Sequence, residues 1–294
     1  MTSLTLQAPA KLNLGLAITG RRPDGFHNLV TIFQAIDIVD TLELRVTDHG
    51  PEPSWTRFTV TDPALAGQDN LVVKAIQAVR ARTGCTLPVE IHLRKRIPVA
   101  AGLGGASSNA AATLRGLDRL WNLGLAPEDL MMVATGLGSD VPFFLRGGCA
   151  FGRGRGDNLR PLPAQDVWHV VVFPKNALPF QRKTAAMFGA LEPSDFSSGA
   201  DVAAQANCLD AGIQLDPVLL RNAFERPLYT LVPELRKVSA ALRNAGAAHV
   251  FITGAGPTHF TVAATEHKAN QIARAFVSLN VGDTDVFVCR SYPV

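Results

Sequence analysis

A strand that empties into a glycine loop, Arg94 to Ala112 in the order RKRIPVAAGLGGASSNAAA, constrains this chain more than any other stretch. Val89, Ile91 and Leu93 alternate with Glu90, His92 and Arg94, the two-residue period of a half-buried strand. Pro98 is expected to stop that strand, because proline cannot donate to a sheet ladder. Gly102, Gly104 and Gly105 then permit backbone conformations that a β-carbon resists. Ser107, Ser108 and Asn109, good caps and poor helix interiors, are expected to precede an alanine-rich helix. Strand, glycine loop and helix start together make an anion cradle, with unpaired N–H groups and the positive end of a helix dipole aimed at one spot. Lys95 and Arg96 at the entrance are expected to add positive charge.

Two familiar phosphate loops are excluded. A Walker A loop needs Gly-Lys followed by Ser or Thr, and no Gly-Lys pair occurs in this stretch. A Rossmann fingerprint fails at its third position, where Ser107 stands, and wants an acidic residue ending a second strand about 20 positions on. Glu128 and Asp129 fall near that distance but follow Pro127, in what reads as the first turn of a helix. The plain alternative is a glycine-rich turn with no ligand. Three glycines followed by three small polar residues are dense for that.

A chain of 294 residues with 47% apolar and 18% charged residues can build two cores. The net charge of +3 is too mild for a nucleic-acid surface and tolerates a polyanionic small molecule. Cys85, Cys149, Cys208 and Cys289 lie far apart without C-x-x-C spacing, which fits a reducing cytosol rather than a zinc site or disulfide framework. No signal peptide or membrane span is expected, so the chain reads as cytoplasmic.

From Lys11 to Ile18, Leu12, Leu14, Leu16 and Ile18 share one strand face, and Lys11, Asn13 and Gly15 share the other. That second face is expected to be polar and accessible. Arg21-Arg22-Pro23-Asp24-Gly25 is a turn signal, followed directly by Phe26 and His27, either a loop anchor or a base-stacking and hydrogen-bonding pair. Asn70 caps a helix that ends near Gly84. The helix after the glycine loop buries Leu114, Leu117 and Trp121, and another runs from Pro127 to Gly136. Asp140, in Gly138-Ser139-Asp140-Val141-Pro142-Phe143-Phe144, reads by itself as a helix cap. Beside a lysine and a phosphate loop it also suits phosphoryl transfer to an alcohol, which needs a proton acceptor and a cation.

Gly152-Arg153-Gly154-Arg155-Gly156 reads as a mobile connection, and the stretch through Pro161 and Pro163 as a domain boundary. A strand at Val167 to Val172, a helix from Pro233 to Ala245, strands His249–Thr253 and His259–Ala263, a helix from Glu266 and a strand Val286–Arg290 then suggest a ferredoxin-like α+β layer.

Pro9-Ala10-Lys11-Leu12-Asn13-Leu14, the glycine loop and Gly254-Ala255-Gly256-Pro257-Thr258 resemble the three motifs of the GHMP kinase superfamily. Four stretches resemble its branch that phosphorylates 4-diphosphocytidyl-2-C-methyl-D-erythritol in non-mevalonate isoprenoid synthesis. They are Lys11-Leu12-Asn13, Arg21 to His27, Gly102 to Ala111 and Gly138 to Phe144. The resemblance implies an α+β, two-domain GHMP kinase fold, with a ribosomal-S5-domain-2-like half and a ferredoxin-like half. The domains would be 1–160, binding ATP and catalysing, and 161–294, contributing to the substrate site. It further implies Lys11 and Asp140 as the catalytic pair. ATP would be held by Pro98, Val99, Ala100, Ala101, Gly102, Leu103, Gly104, Gly105, Ala106, Ser107 and Ser108. Phe26 and His27 would meet cytosine, Phe188 would stack on its other face, and Asn13 would contact the substrate near the lysine. Magnesium should accompany ATP, with Ser108 as its protein contact. The family usually has tyrosine where this chain has Phe26, which keeps stacking and loses a phenolic hydrogen bond.

The partners implied are a cytidine-diphosphate-linked small molecule, no nucleic acid and no membrane, for a monomer or weak homodimer. An NAD-binding oxidoreductase, an RNA-binding module and a different GHMP kinase are the alternatives. The mid-chain position of the loop, the interspersed acids and the Phe26-His27 pair argue against each in turn.

Overall fold

The computed structural model describes residues 3–47, 55–175, 177 and 183–292. Along the chain run β1 (Ser3–Arg21), β2 (His27–Val46), β3 (Thr56–Val60), α1 (Leu71–Thr83), β4 (Val89–Arg94), α2 (Gly105–Leu120), α3 (Pro127–Leu137) and α4 (Val141–Arg146). There follow β5 (Cys149–Arg153), β6 (Asn158–Leu162), β7 (Trp168–Pro174), α5 (Lys183–Gly189), α6 (Ala200–Asp210) and α7 (Glu225–Leu231). Then come α8 (Arg236–Asn244), β8 (Phe251–Ile252), β9 (His259–Ala263), α9 (Glu266–Ser278) and β10 (Thr284–Arg290). Two compact units form: Met1–Ala10, Ile38–Val99 and Gly104–Arg146 in the first, Lys11–Asp37, Ala100–Leu103 and Gly147–Val294 in the second.

In the second unit, β7, α8, β8, β9, α9 and β10 make the expected ferredoxin-like layer. Its sheet has the order β10–β7–β9–β8, with every neighbouring pair antiparallel. Val170 and Val172 of β7 are buried with Val238 and Leu242 of α8 and Ile272 and Phe276 of α9 in one core, which also takes Leu16 and Ile18 of β1. The segment expected as a mobile connection is instead the turn of a hairpin. β5 pairs with β6 from Cys149 to Leu162, and residues 31–34 of β2 pair with β5. Arginine stems cover apolar surface while their heads meet an aromatic face, which turns this basic run into packed structure. The guanidiniums of Arg153 and Arg160 lie 5.0 and 5.3 Å from the centre of the Phe151 ring.

In the first unit, β4 pairs antiparallel with residues 41–46 of β2 and in parallel with β3. Helix α1 runs between the signals expected for it, the Asn70 side chain accepting from Val72 N and Gly84 closing the helix at φ 69°. It packs on α2, which also packs on α4. Pro98 does not end β4. The strand stops at Arg94, because the next backbone donors turn to a buried carboxylate: Arg96 N and Ile97 N donate to Asp40 Oδ1 at 2.7 and 2.8 Å. Asp40 Oδ2 accepts from Asn109 Nδ2 at 2.9 Å and from the Lys95 ammonium. Asp40 is 0% exposed, so all four bonds stand in for water.

Removing one partner of a buried ion pair leaves the other charge uncompensated, at about 3–5 kcal/mol. Asp40→Ala is therefore expected to lower unfolding free energy by about that amount. Urea unfolding of the two proteins measures it, and a loss under 1 kcal/mol would mean that solvent replaces the carboxylate.

Candidate active site

In the first unit the glycine loop ends at Gly104, whose φ of 73° suits a residue without a β-carbon. Gly104 is the N-cap of α2, which starts at Gly105 with no side-chain cap, and Ser108 N makes the bond back to Gly104 O at 3.0 Å. Ser107, Ser108 and Asn109 are thus inside the first turns of the helix rather than caps before it. A capping hydroxyl would have used the N–H groups at the helix start; without one they stay directed at the loop. The Ser108 side chain is 1% exposed and its Oγ has no hydrogen-bond partner among the described residues, an orphaned buried hydroxyl in the first turns of α2. Lys95 does not enrich the loop in charge as expected. Its ammonium is spent on Asp40, with Asn109 Oδ1 at 3.3 Å, and so braces strand end against helix start. Asp140 immediately precedes α4. Its carbonyl accepts from Phe144 N at 3.4 Å, while its carboxylate makes no capping bond and has no partner among the described residues.

In the second unit Lys11 and Asn13 sit on one face of β1, but that face is buried, at 3% and 4% exposure. The expectation of an accessible face fails because the polar side chains satisfy one another. Lys11 Nζ donates to Asn13 Oδ1 at 2.5 Å, and Asn13 Nδ2 donates to Thr31 Oγ1 at 2.8 Å. Thr31 Oγ1 spends its own proton on Gly15 O at 2.6 Å. The hydroxyl must therefore accept from Asn13, which fixes the amide with its oxygen toward the lysine. The Phe33 ring lies 5.8 Å from the ammonium. Backbone bonds from Lys11 N to Leu103 O at 2.9 Å and from Asn13 N to Thr253 Oγ1 at 3.0 Å bring the middle of the glycine loop and the late glycine turn to this strand. An ideal Cβ on Gly254 would lie 3.1 Å from Gly102 O and 3.2 Å from Lys11 Nζ.

The turn after β1 closes as expected, with Arg22 N bonded to Phe26 O at 2.7 Å. Phe26 is 50% exposed and carries the Arg155 guanidinium 4.1 Å from its ring centre. His27 stacks on Phe188 with ring centres 4.8 Å apart, and Phe188 sets its edge on Phe224 at 4.9 Å. The structure thus brings Phe188 to His27. Burial, with the charge of Arg21 second, pushes His27 below its ordinary value, which favours the neutral imidazole. A neutral ring offers one donor and one acceptor.

Comparison with known proteins decides the family. The family described as GHMP kinases N terminal domain matches residues 70–148, and GHMP kinases C terminal matches residues 203–281. A 4-diphosphocytidyl-2-C-methyl-D-erythritol kinase of Pelotomaculum thermopropionicum is 38% identical over 291 residues, covering 98% of each chain. The chain belongs to the 4-diphosphocytidyl-2-C-methyl-D-erythritol kinase family. A crystal structure of 4-(cytidine 5'-diphospho)-2C-methyl-D-erythritol kinase superposes with a TM-score of 0.81 at 34% identity, over 98% of this chain and 100% of that one. A homoserine kinase from Cytophaga hutchinsonii, at 21% identity and a TM-score of 0.74 over 99% of this chain and 95% of that one, shares the fold.

The kinase family's motifs pointed to the glycine loop, Lys11, Asn13 and Asp140, and missed what holds them. Asp40, Thr31 and Thr253 carry no motif. Asp40 is one of three acids, with Asp37 and Glu43, in the strand segment AIDIVDTLEL, and nothing local in the sequence marks it as the buried one. Gly102, by contrast, was legible as a glycine, and its reason is now visible. At φ +84°, an ideal Cβ there would lie 2.5 Å from Thr253 O and 2.9 Å from Gly256 O, both rigid backbone. Gly25 has a similar φ of +85° with nothing within 4 Å. Gly102→Ala is expected to cost about 1–3 kcal/mol more than Gly25→Ala, which bears the backbone strain alone. Equal losses in thermal or urea unfolding would show that the two turns separate without resistance.

Proposed function

We propose that this chain is an ATP-dependent kinase that phosphorylates the 2-hydroxyl of 4-diphosphocytidyl-2-C-methyl-D-erythritol, in non-mevalonate isoprenoid precursor synthesis. Its likeness to a kinase of that name over 98% of both chains carries the reading. Residues 1–160 bind ATP and catalyse, and residues 161–294 contribute to the substrate site. The loop Pro98 to Ser108 cradles the phosphates with the donors at the start of α2. Asp140 takes the proton of the attacking hydroxyl, a role suited to a carboxylate with no partner among the described residues. Lys11, oriented by Asn13, stabilises the negative charge that spreads over the transferred phosphoryl group.

No cluster of three or more His, Cys, Asp or Glu suited to a metal occurs among the described residues. Mg²⁺ arriving with ATP would neutralise phosphate charge, and the orphaned Ser108 hydroxyl is the group placed to hold it. Phe26 offers its ring to cytosine, His27 reads the base edge, Phe188 stacks on the other face of the base, and Asn13 contacts the substrate near the lysine; the stack of His27 on Phe188 supports grouping these rings. We assign a cytoplasmic monomer or weak homodimer acting on a small molecule without nucleic acid. Among the described residues no helix is long and apolar enough to cross a membrane.

Asp140→Asn is expected to lower kcat by about 10²–10⁴-fold with little change in ATP affinity. A near wild-type rate in a coupled ADP-release assay would leave Asp140 a structural role only. Base selection separates two further residues. Phe26→Ala should weaken cytidine and uridine forms of the substrate alike, by about 1–3 kcal/mol. His27→Ala should harm the cytidine form more, narrowing the ratio of kcat/KM between the two, because edge contacts discriminate and stacking does not. Equal turnover by wild-type protein of methylerythritol compounds lacking any base would contradict this pocket.

A further inference from the structure

Lys183, the first residue of α5, has no part in the mechanism above. Its ammonium donates to Ala100 O at 2.7 Å and to Gly256 O at 2.5 Å, joining the first turn of the glycine loop to the late glycine turn. Ala100 has φ 56°, unfavourable for a residue with a β-carbon, and the lysine holds the carbonyl of that strained residue. Both partners are neutral, and no carboxylate pairs with Lys183 among the described residues. The loop segment Ala100–Leu103 and the turn Gly254–Pro257 bring no ionisable side chain to it, and β1 brings Lys11. Burial first, and the Lys11 charge second, push Lys183 down to about 8. Two ammonium groups set against one another are a poor arrangement for the bare protein and a good one for a polyanion. A lysine has three donors, and the two carbonyl bonds leave one for such a ligand.

We propose that Lys183 is a second phosphate-binding cation, donating to a phosphoryl oxygen of a bound polyphosphate while it ties Ala100 to Gly256. The inference rests on the kinase reading of the glycine loop. ATP and the diphosphate-linked alcohol offer the same chemistry, so the test separates them. Calorimetric titration would compare a non-hydrolysable ATP analogue, CDP, adenosine and cytidine on wild type, Lys183→Met and Lys183→Arg. Lys183→Met should bind the ATP analogue or CDP about 10- to 100-fold more weakly, leave the nucleosides unchanged, and be rescued in part by Lys183→Arg. Loss with the analogue assigns the contact to the nucleotide, and loss with CDP to the other substrate.

The pH dependence gives an independent readout on the folded wild-type protein. The protonated lysine binds the anion, so affinity should fall as pH rises through about 8, and Lys183→Met should lack that step. Unchanged affinity for both polyphosphates, equal losses with the nucleosides, or a pH step retained in Lys183→Met would overturn the proposal. Wild-type protein that binds neither polyphosphate fails the kinase reading itself. Binding by wild type that survives intact in Lys183→Met fails this inference alone.

Discussion

The buried carboxylate of Asp40 is the constraint from which the position of the helix start in the first unit follows. Taking an ionised carboxylate wholly out of water costs several kcal/mol, and only well-placed partners offset it. Here the partners are the Lys95 ammonium, the backbone N–H groups of Arg96 and Ile97, and the amide of Asn109. Those four groups come from the end of β4, the chain leaving it and the second turn of α2. One side chain therefore sets where the strand stops and where the helix must start. An apolar residue of similar volume could fill the space, but it would not choose which two N–H groups leave the ladder. The helix start is located by chemistry that never touches a ligand.

The second unit uses neutral groups for the same purpose. Thr31, Asn13 and Lys11 form a chain of donors running from Gly15 O outward, and each bond decides the direction of the next. The lysine inherits a defined position at the end of that chain. Orientation by hydrogen bonds of fixed polarity is what a transition state needs, because the charge to be stabilised appears at one place and donors already aimed there require no reorganisation.

Much of this was legible in the sequence, and the failures share a cause. Helix α1 was readable from Asn70 and Gly84, and the ferredoxin-like order from spacing, since caps and periods are local properties. The glycine loop was readable because close backbone approach excludes every side chain. Three local rules misled. Pro98 is a good strand breaker, yet Asp40, more than fifty residues earlier, ends β4 first. Ser107 and Ser108 are good caps, yet Gly104 takes the cap position. Arg153 and Arg155 suggest a solvated link, yet Phe151 and Phe26 give their guanidiniums aromatic faces. In each case another group, distant like Asp40 or close like Gly104 and Phe151, wins over the local rule, and no period or propensity reports that competition. The accessible face expected for Lys11 and Asn13 failed likewise, because Thr31 and Thr253 lie on other elements.

The polarity of what is left unsatisfied carries the last step. In the first unit the N–H groups that open α2 have no side-chain cap among the described residues. In the second unit the charged groups at the loop are ammoniums, Lys11 and Lys183. The acid that might have neutralised the loop, Asp40, is fully consumed in bracing it. Buried donors without acceptors destabilise the free protein, and a ligand rich in acceptors removes that cost on binding. The non-bridging oxygens of a phosphate accept and never donate when ionised, so they match such a surface better than a hydroxyl or an amide does. In each unit taken by itself, the groups gathered at the loop are ones that an anion rich in acceptors satisfies.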